Sequence, residues 1–193
     1  DMIFKTLKKI INLFGFKLVN KNIIKNNNIL SSNSILNLKF ILNNIFNKQK
    51  IRNLIQIGAN DGISFDEINF FIKEYKVESI LVEPIKENFN KLKNNYKGLD
   101  FIKLENVAIS CNDEINYLYR VNSKFNKHYD NHIPAIPSFN KKHLLSHGVK
   151  NSHIVKELVN SLSVKELIDK YEIKDLDLFF VDAEGYDGNI VLD

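Results

Sequence analysis

Residues 54–64, LIQIGANDGIS, decide the fold. Leu54, Ile55 and Ile57 make a short apolar run of the kind that forms a strand buried on both faces, and it ends in a turn of Gly58, Ala59, Asn60, Asp61 and Gly62. Beyond the turn, Ser64 and Glu67 have the spacing of a capping box ahead of Ile68, Phe71, Ile72 and Tyr75, which recur at helical period. A buried strand that hands over to a helix through a glycine-bounded turn is the opening of a βαβ unit.

The same pattern repeats outward from this point. Residues 79–83 form a second buried strand, Pro84 suits a helix's first turn, and Ile85, Phe89, Leu92 and Tyr96 recur along one face after it. A third strand lies near 101–104, and EINYLYRV (114–121) alternates like a further strand. Residues 122–160 are irregular and His-rich, Ser163 with Glu166 forms a second capping box for a helix ending near Tyr171, and LDLFFVDAEG (176–185) is a fourth buried strand running into a turn. Short apolar strands separated by helices predict an α/β fold with a doubly wound parallel sheet, in which ligands bind beyond the carboxyl ends of the strands.

Toward the N-terminus, Ile35, Leu38, Ile41, Leu42 and Ile45 define one face of a helix, and residues 20–34 are a polar linker. Residues 2–14 place Ile3, Phe4, Leu7, Ile10, Ile11 and Phe14 opposite Lys5, Lys8 and Lys9, an amphipathic basic helix suited to packing on its own domain or to peripheral contact with an anionic membrane. Those lysines interrupt any signal-peptide apolar core. No apolar run reaches the roughly 18 residues that span a bilayer.

The 193 residues are 44% hydrophobic and carry a net charge of +4 with a pI of about 8.9. Lys is scattered among Asp and Glu, which argues for a solvated surface and against nucleic acid. Cys111 is the sole cysteine, so no internal disulfide forms, in keeping with a reducing, cytoplasmic setting. Because Asp1 precedes Met2 and the chain stops soon after Asp182 within a helical pattern, the C-terminus is expected to be truncated.

The turn at 58–62 sits at a strand's carboxyl end, where backbone N–H groups and the next helix can cradle an anionic group. Glu83 ends the next strand, the place where Rossmann-type folds bind a ribose diol, since a carboxylate accepts two hydrogen bonds. The G-x-G-x-x-G fingerprint is absent because Asn60 stands at its second glycine, the one that admits a pyrophosphate. A nucleoside without phosphates does not need that glycine. S-adenosyl-L-methionine, with a carboxylate, a ribose, an adenine and a sulfonium, fits better than NAD.

IQIGANDGIS, ILVEPIKENFNKLKNNY, LENVAIS, PSFNKKHLLSHG and DLDLFFVDAEGYD, in this order, resemble the FkbM-type S-adenosylmethionine-dependent methyltransferases from about residue 50 to the C-terminus. The resemblance implies a Rossmann-like class I methyltransferase fold and O-methylation of a hydroxyl on a sugar, glycolipid or polysaccharide-type acceptor. It divides the chain into an N-terminal helical extension and linker (1–50) and a methyltransferase domain (51–193) incomplete at its C-terminus. By position it assigns Gly58, Asn60, Asp61 and Gly62 to the methionine-side loop, Glu83 and Pro84 to the ribose corner, and Asn106 and Val107 to the adenine, with Gln56 and Ala59 also among the cofactor-binding residues. Asp182 and Glu184 would face the methyl group and the acceptor. Gln56 stands where many class I methyltransferases carry an acid, which weakens the contact to the methionine amino group.

Alcohol methylation needs an aligned oxygen and a proton acceptor, so Asp182, Glu184 or a histidine of the 122–160 segment is a candidate base. His143 and His147 have metal-pair spacing, with His128, Asp130 and His132 upstream, yet no H-E-x-x-H or Cys-x-x-Cys frame supports a metal, and none is assigned. PAIPSF (134–139) is a rigid segment expected to line the acceptor cleft. The alternatives are an NAD-using enzyme and a non-catalytic binding module or inactive fragment.

Overall fold

The computed structural model describes residues 38–110 and 116–192. The basic helix expected at 2–14, the linker at 20–34 and Cys111 lie outside the described residues. The chain divides into two compact units, 1–45 and 46–193. Helix α1 (Leu38–Lys48) realises the expected helical pattern there.

The second unit holds the sheet. Strands β1 (Asn53–Ile57), β2 (Glu78–Val82), β3 (Ile102–Glu105) and β8 (Leu178–Val181) are parallel, in the order β3-β2-β1-β8. Helices α2 (Asn69–Tyr75) and α3 (Lys86–Asn95) follow β1 and β2. Helix α5 (Val164–Lys170) precedes β8, and α6 (Asp187–Val191) follows it. Ile55, Ile57, Ile80 and Val82 share one sheet face and pack with Val107, Ile109, Leu167 of α5 and Ile190 of α6. Each such side chain taken out of water contributes roughly 1.5–3 kcal/mol. Leu54, Gln56 and Leu81 on the opposite face are buried too, which explains why β1 reads as an apolar run without alternation.

The capping box expected at Ser64 and Glu67 does not form. Helix α2 starts later, Asp66 Oδ1 accepts from the N–H groups of Ile68 and Asn69 at 3.0 Å each, and Ser64 donates its hydroxyl to Asp61 at 2.8 Å. The box at Ser163 and Glu166 does form and opens α5.

The segment expected to be irregular is more ordered than its composition suggests. Strand β5 (Asn116–Val121) pairs antiparallel with β6 (Ile154–Val159), away from the main sheet. Short strands β4 (Ala108–Ile109) and β7 (Ser161–Leu162) pair in parallel, and α4 (Lys141–Ser146) lies between β5 and β6 in the chain. Val121, Ile133, Ile136, Leu144 and Val149 give this insert its own small core. Among the described residues, no helix is long and apolar enough to cross a membrane.

Candidate functional site

Strand register gathers the site. Ile57 lies opposite both Val82 and Val181, and Val82 opposite Glu105, so the four strands end at one level. The residues that follow them, Gly58, Glu83, Asn106 and Asp182, therefore emerge side by side. Hydrogen bonds continue the ladder into these positions: Gly58 and Ala59 N–H donate to the Val82 carbonyl, Glu83 N–H to Glu105, and Asp182 N–H to Ile57, all at 3.0 Å.

The two glycines of the opening turn have separate physical reasons. Gly58 has φ +82°, and a Cβ on it would stand 1.9 Å from the Asp182 carbonyl oxygen, so β1 and β8 can end side by side only if that side chain is missing. Gly62, at φ +75°, packs against α3, where a Cβ would meet Tyr96 Cε2 at 2.5 Å and Leu92 Cδ1 at 2.6 Å. Both needs are close approach combined with left-handed backbone. Between them Asn60 adopts φ +50°, a conformation asparagine tolerates better than most residues. Asp61 organises the turn: its Oδ1 accepts from Ile63 N at 3.0 Å and Ser64 N at 2.6 Å. Its backbone carbonyl accepts from Asn95 of α3 at 2.8 Å.

Glu83 is 3% exposed, and its carboxylate is held by two backbone donors, Asn60 N to Oε2 at 3.0 Å and Ile85 N to Oε1 at 2.9 Å. The first of these ties the β1 turn to the β2 corner. Burial pushes the Glu83 carboxyl up to about 7 against the pull of those bonds. Asn106 supports the same corner from beneath, its Nδ2 donating to the Glu83 and Pro84 carbonyls at 2.9 Å each.

A cavity of about 310 Å³ opens at this level. Of the residues assigned from sequence, it is lined by Gln56, Gly58, Ala59, Asn60, Glu83 and Pro84. Val107, Asp182 and Glu184 line it as well. Asp61, Gly62 and Asn106 do not, and their contacts are those of the turn and the corner. Lining residues that sequence reasoning passed over include Asp66, Asn88 and the exposed Phe65, whose φ of +59° is strained for an aromatic side chain. Ala135, Ile136, Pro137 and Phe139 of the rigid PAIPSF segment form part of the wall, with His132 and His147.

At the β8 end, burial raises the carboxyls of Asp182 and Glu184; the charge of Asp187 adds to both shifts, and that of Asp182 raises Glu184 further. Asp187 itself is committed to the turn, accepting from Ala183 N at 2.7 Å and Gly185 N at 3.2 Å. His143 Nε2 lies 3.7 Å from Glu184 Oε2, and burial lowers its pKa. The His143 and His147 rings are 4.6 Å apart, but no group of three or more His, Cys, Asp or Glu residues placed to hold a metal occurs among the described residues.

A parallel β3-β2-β1-β8 sheet with a buried carboxylate closing its second strand, beside a cavity at the carboxyl ends, is a Rossmann-like arrangement consistent with a methyltransferase. The methyltransferase FkbM domain model matches residues 56–192, and the chain belongs to that family. No curated protein matches it.

Proposed function

We propose that the protein binds S-adenosyl-L-methionine in this cavity and methylates a hydroxyl of a sugar, glycolipid or polysaccharide-type acceptor. The observation that carries the reading is Glu83: a buried carboxylate at the carboxyl end of β2, fixed by Asn60 and Ile85 N–H groups and lining the cavity. The Asn88 side chain donates to the same carboxylate, which keeps acceptor capacity for a ribose hydroxyl beyond these three donors. The apolar Val107 and Ile109 on the same wall suit an adenine face.

When bound, the cofactor supplies a methyl group activated by a sulfonium leaving group. The chain's part is to bind, align and deprotonate. Asp182 and Glu184 stand at the end of β8 on the cavity wall, and their raised pKa values make them better proton acceptors than ordinary carboxylates. One of them takes the hydroxyl proton as the oxygen attacks. The charged side chains lining the cavity are Asp66, Glu83, Asp182 and Glu184, with no Lys or Arg among them. That lining disfavours an anionic acceptor and favours a neutral polyol.

Calorimetric titration with S-adenosylhomocysteine and with NAD tests the cofactor, and methyl transfer from labelled S-adenosylmethionine into cell-envelope glycan fractions tests the acceptor. Micromolar binding of the first with none of the second is expected. The reverse preference would refute the reading.

A further inference from the structure

His143 carries a polar atom that the folded chain leaves idle. The residue stands on α4, which Asn140 caps through its side-chain oxygen, accepting from Lys142 N at 3.0 Å. Its Nε2 is buried and has no hydrogen-bond partner among the described residues. The carboxylate it faces is that of Glu184, with Oε2 at 3.7 Å. Glu184 lines the cavity and His143 does not, so the imidazole backs the carboxylate instead of competing with it for the acceptor.

Two further contacts hold the insert against the turn after β8. Phe139 packs edge-on against Tyr186 with ring centroids 4.8 Å apart. Gly185, at φ +86°, lies so close to the His143 ring that a Cβ there would stand 3.4 Å from Nδ1. Glu184 itself has φ +43°, a left-handed backbone that residues other than glycine rarely take. Strain of this kind collects where the surroundings fix a group for a task.

The electrostatics show what Glu184 needs. To take a proton near neutral pH it must be ionised, yet burial, Asp182 and Asp187 push its pKa up, while the charge of His147 pulls the other way. Burial and His147 lower the His143 pKa against the pull of Asp187, so its ring is neutral near pH 7 and carries one N–H. A carboxylate only accepts, so facing Glu184 selects the tautomer with that hydrogen on Nε2. The separation of 3.7 Å is longer than a hydrogen bond, and catalytic contacts of this length tighten when substrate is in place. Asp182 is raised by burial and by Asp187, with no donor opposing them among the described residues.

We infer that His143 is a positioning residue for Glu184: its Nε2–H holds the carboxylate ionised and in place, which makes Glu184, rather than Asp182, the base for the acceptor hydroxyl. The inference rests on the methyl-transfer reading above. In that step the acceptor oxygen bonds to the methyl carbon, the C–S bonding pair stays on sulfur, and the hydroxyl proton passes to Glu184.

The test has two arms, both on the full chain. In the first, the labelled His143 ring, assigned by its loss in His143→Gln, is titrated by NMR in the parent and in Glu184→Gln. Removing the facing negative charge should lower its midpoint by about half a pH unit or more. An unchanged midpoint overturns the inference, and because this arm needs neither cofactor nor acceptor, its failure is distinct from that of the methyl-transfer reading. In the second arm, label from S-adenosylmethionine is followed into cell-envelope glycan fractions across pH. His143→Phe keeps a ring but no donor; it should lower transfer near pH 7 about tenfold and move the acidic limb of the profile up by about one pH unit, with S-adenosylhomocysteine affinity within about twofold. His143→Gln returns an N–H near the place of Nε2 and should restore most of the rate and the parent profile. A Phe variant with the parent profile, or a Gln variant no better than Phe, reduces His143 to packing and overturns the inference. No transfer by the unmutated protein overturns both readings.

Discussion

Gly58 and Gly98 form an internally controlled pair. Both have nearly the same left-handed backbone, φ +82° and +83°, but a Cβ on Gly58 would stand 1.9 Å from the Asp182 carbonyl oxygen, whereas one on Gly98 meets nothing within 4 Å. Alanine at Gly98 therefore costs only the conformational penalty, about 1–2 kcal/mol. Alanine at Gly58 carries that penalty plus the displacement of a backbone carbonyl by about 1.4 Å or more to reach a tolerable C···O contact. Moving that carbonyl strains the adjoining Asp182 N–H bond to Ile57, 3.0 Å long, which contributes about 0.5–1.5 kcal/mol. Repacking around an overfilled site adds about 1–3 kcal/mol. The total, about 3–6 kcal/mol, is a large part of a domain's stability. Thermal melts followed by circular dichroism should show Gly58→Ala lowered by about 6–24 °C and Gly98→Ala by about 2–8 °C. Equal shifts in the two variants would mean that β1 and β8 do not approach each other as described, and that Gly58 serves backbone conformation alone.

Glu83→Gln replaces one of two charged acceptors by a donor and should weaken S-adenosylhomocysteine by about 1.5–3 kcal/mol in calorimetry; unchanged affinity would remove Glu83 from the ribose role. Asp182→Asn and Glu184→Gln should leave S-adenosylhomocysteine affinity within about threefold while one of them lowers methyl transfer at least about 100-fold, and full activity in both would place the base elsewhere. Because the Glu83 carboxyl is raised from 4.5 to about 7 on folding, the native state holds that proton more tightly than the unfolded one. Its contribution to stability should fall by on the order of 3 kcal/mol as pH rises from about 4.5 to about 7 and stay level above, read as the difference between parent and Glu83→Gln urea curves. S-adenosylhomocysteine affinity should move the opposite way, increasing as Glu83 ionises, and a pH-independent affinity would count against the ionised diol contact.

What the sequence made legible follows from how local each signal is. β1 and β2 are buried on the working sheet and so appear as apolar runs; β8, expected to be buried, is an apolar edge strand whose four residues are only half-buried, and Glu83 and Asp182 could be placed at strand ends by counting along the chain. β6 was missed because Lys156 and Glu157 interrupt it, only Val159 is deeply buried, and its partner β5 lies far back in the chain. The Ser64 capping box failed because SFDEI contains two overlapping cap spacings, and Asp61 had already engaged the Ser64 hydroxyl. The reason for Gly58 was equally hidden: its need for no side chain comes from a carbonyl more than a hundred residues away in sequence.

The shifted carboxylates fall into two groups by direction. Asp177 is held below its usual range by the Arg52 and Asn53 N–H groups that it ties together at the start of β1. Asp61 is likewise lowered: its bonds to Ser64 and Ile63 outweigh the effect of burial. These acids are stabilised by the protein's own donors, and their work is architectural. Asp66, Glu83, Asp182 and Glu184 all line the cavity, and in all four burial raises the pKa. Glu83 is the one of the four that is buried, and its charge is left under-compensated by the folded chain, which lowers stability near neutral pH. Glu83 at the end of β2, with Asp182 and Glu184 after β8, stands where the hydroxyl donors of the proposed ligand would recover part of that cost on binding.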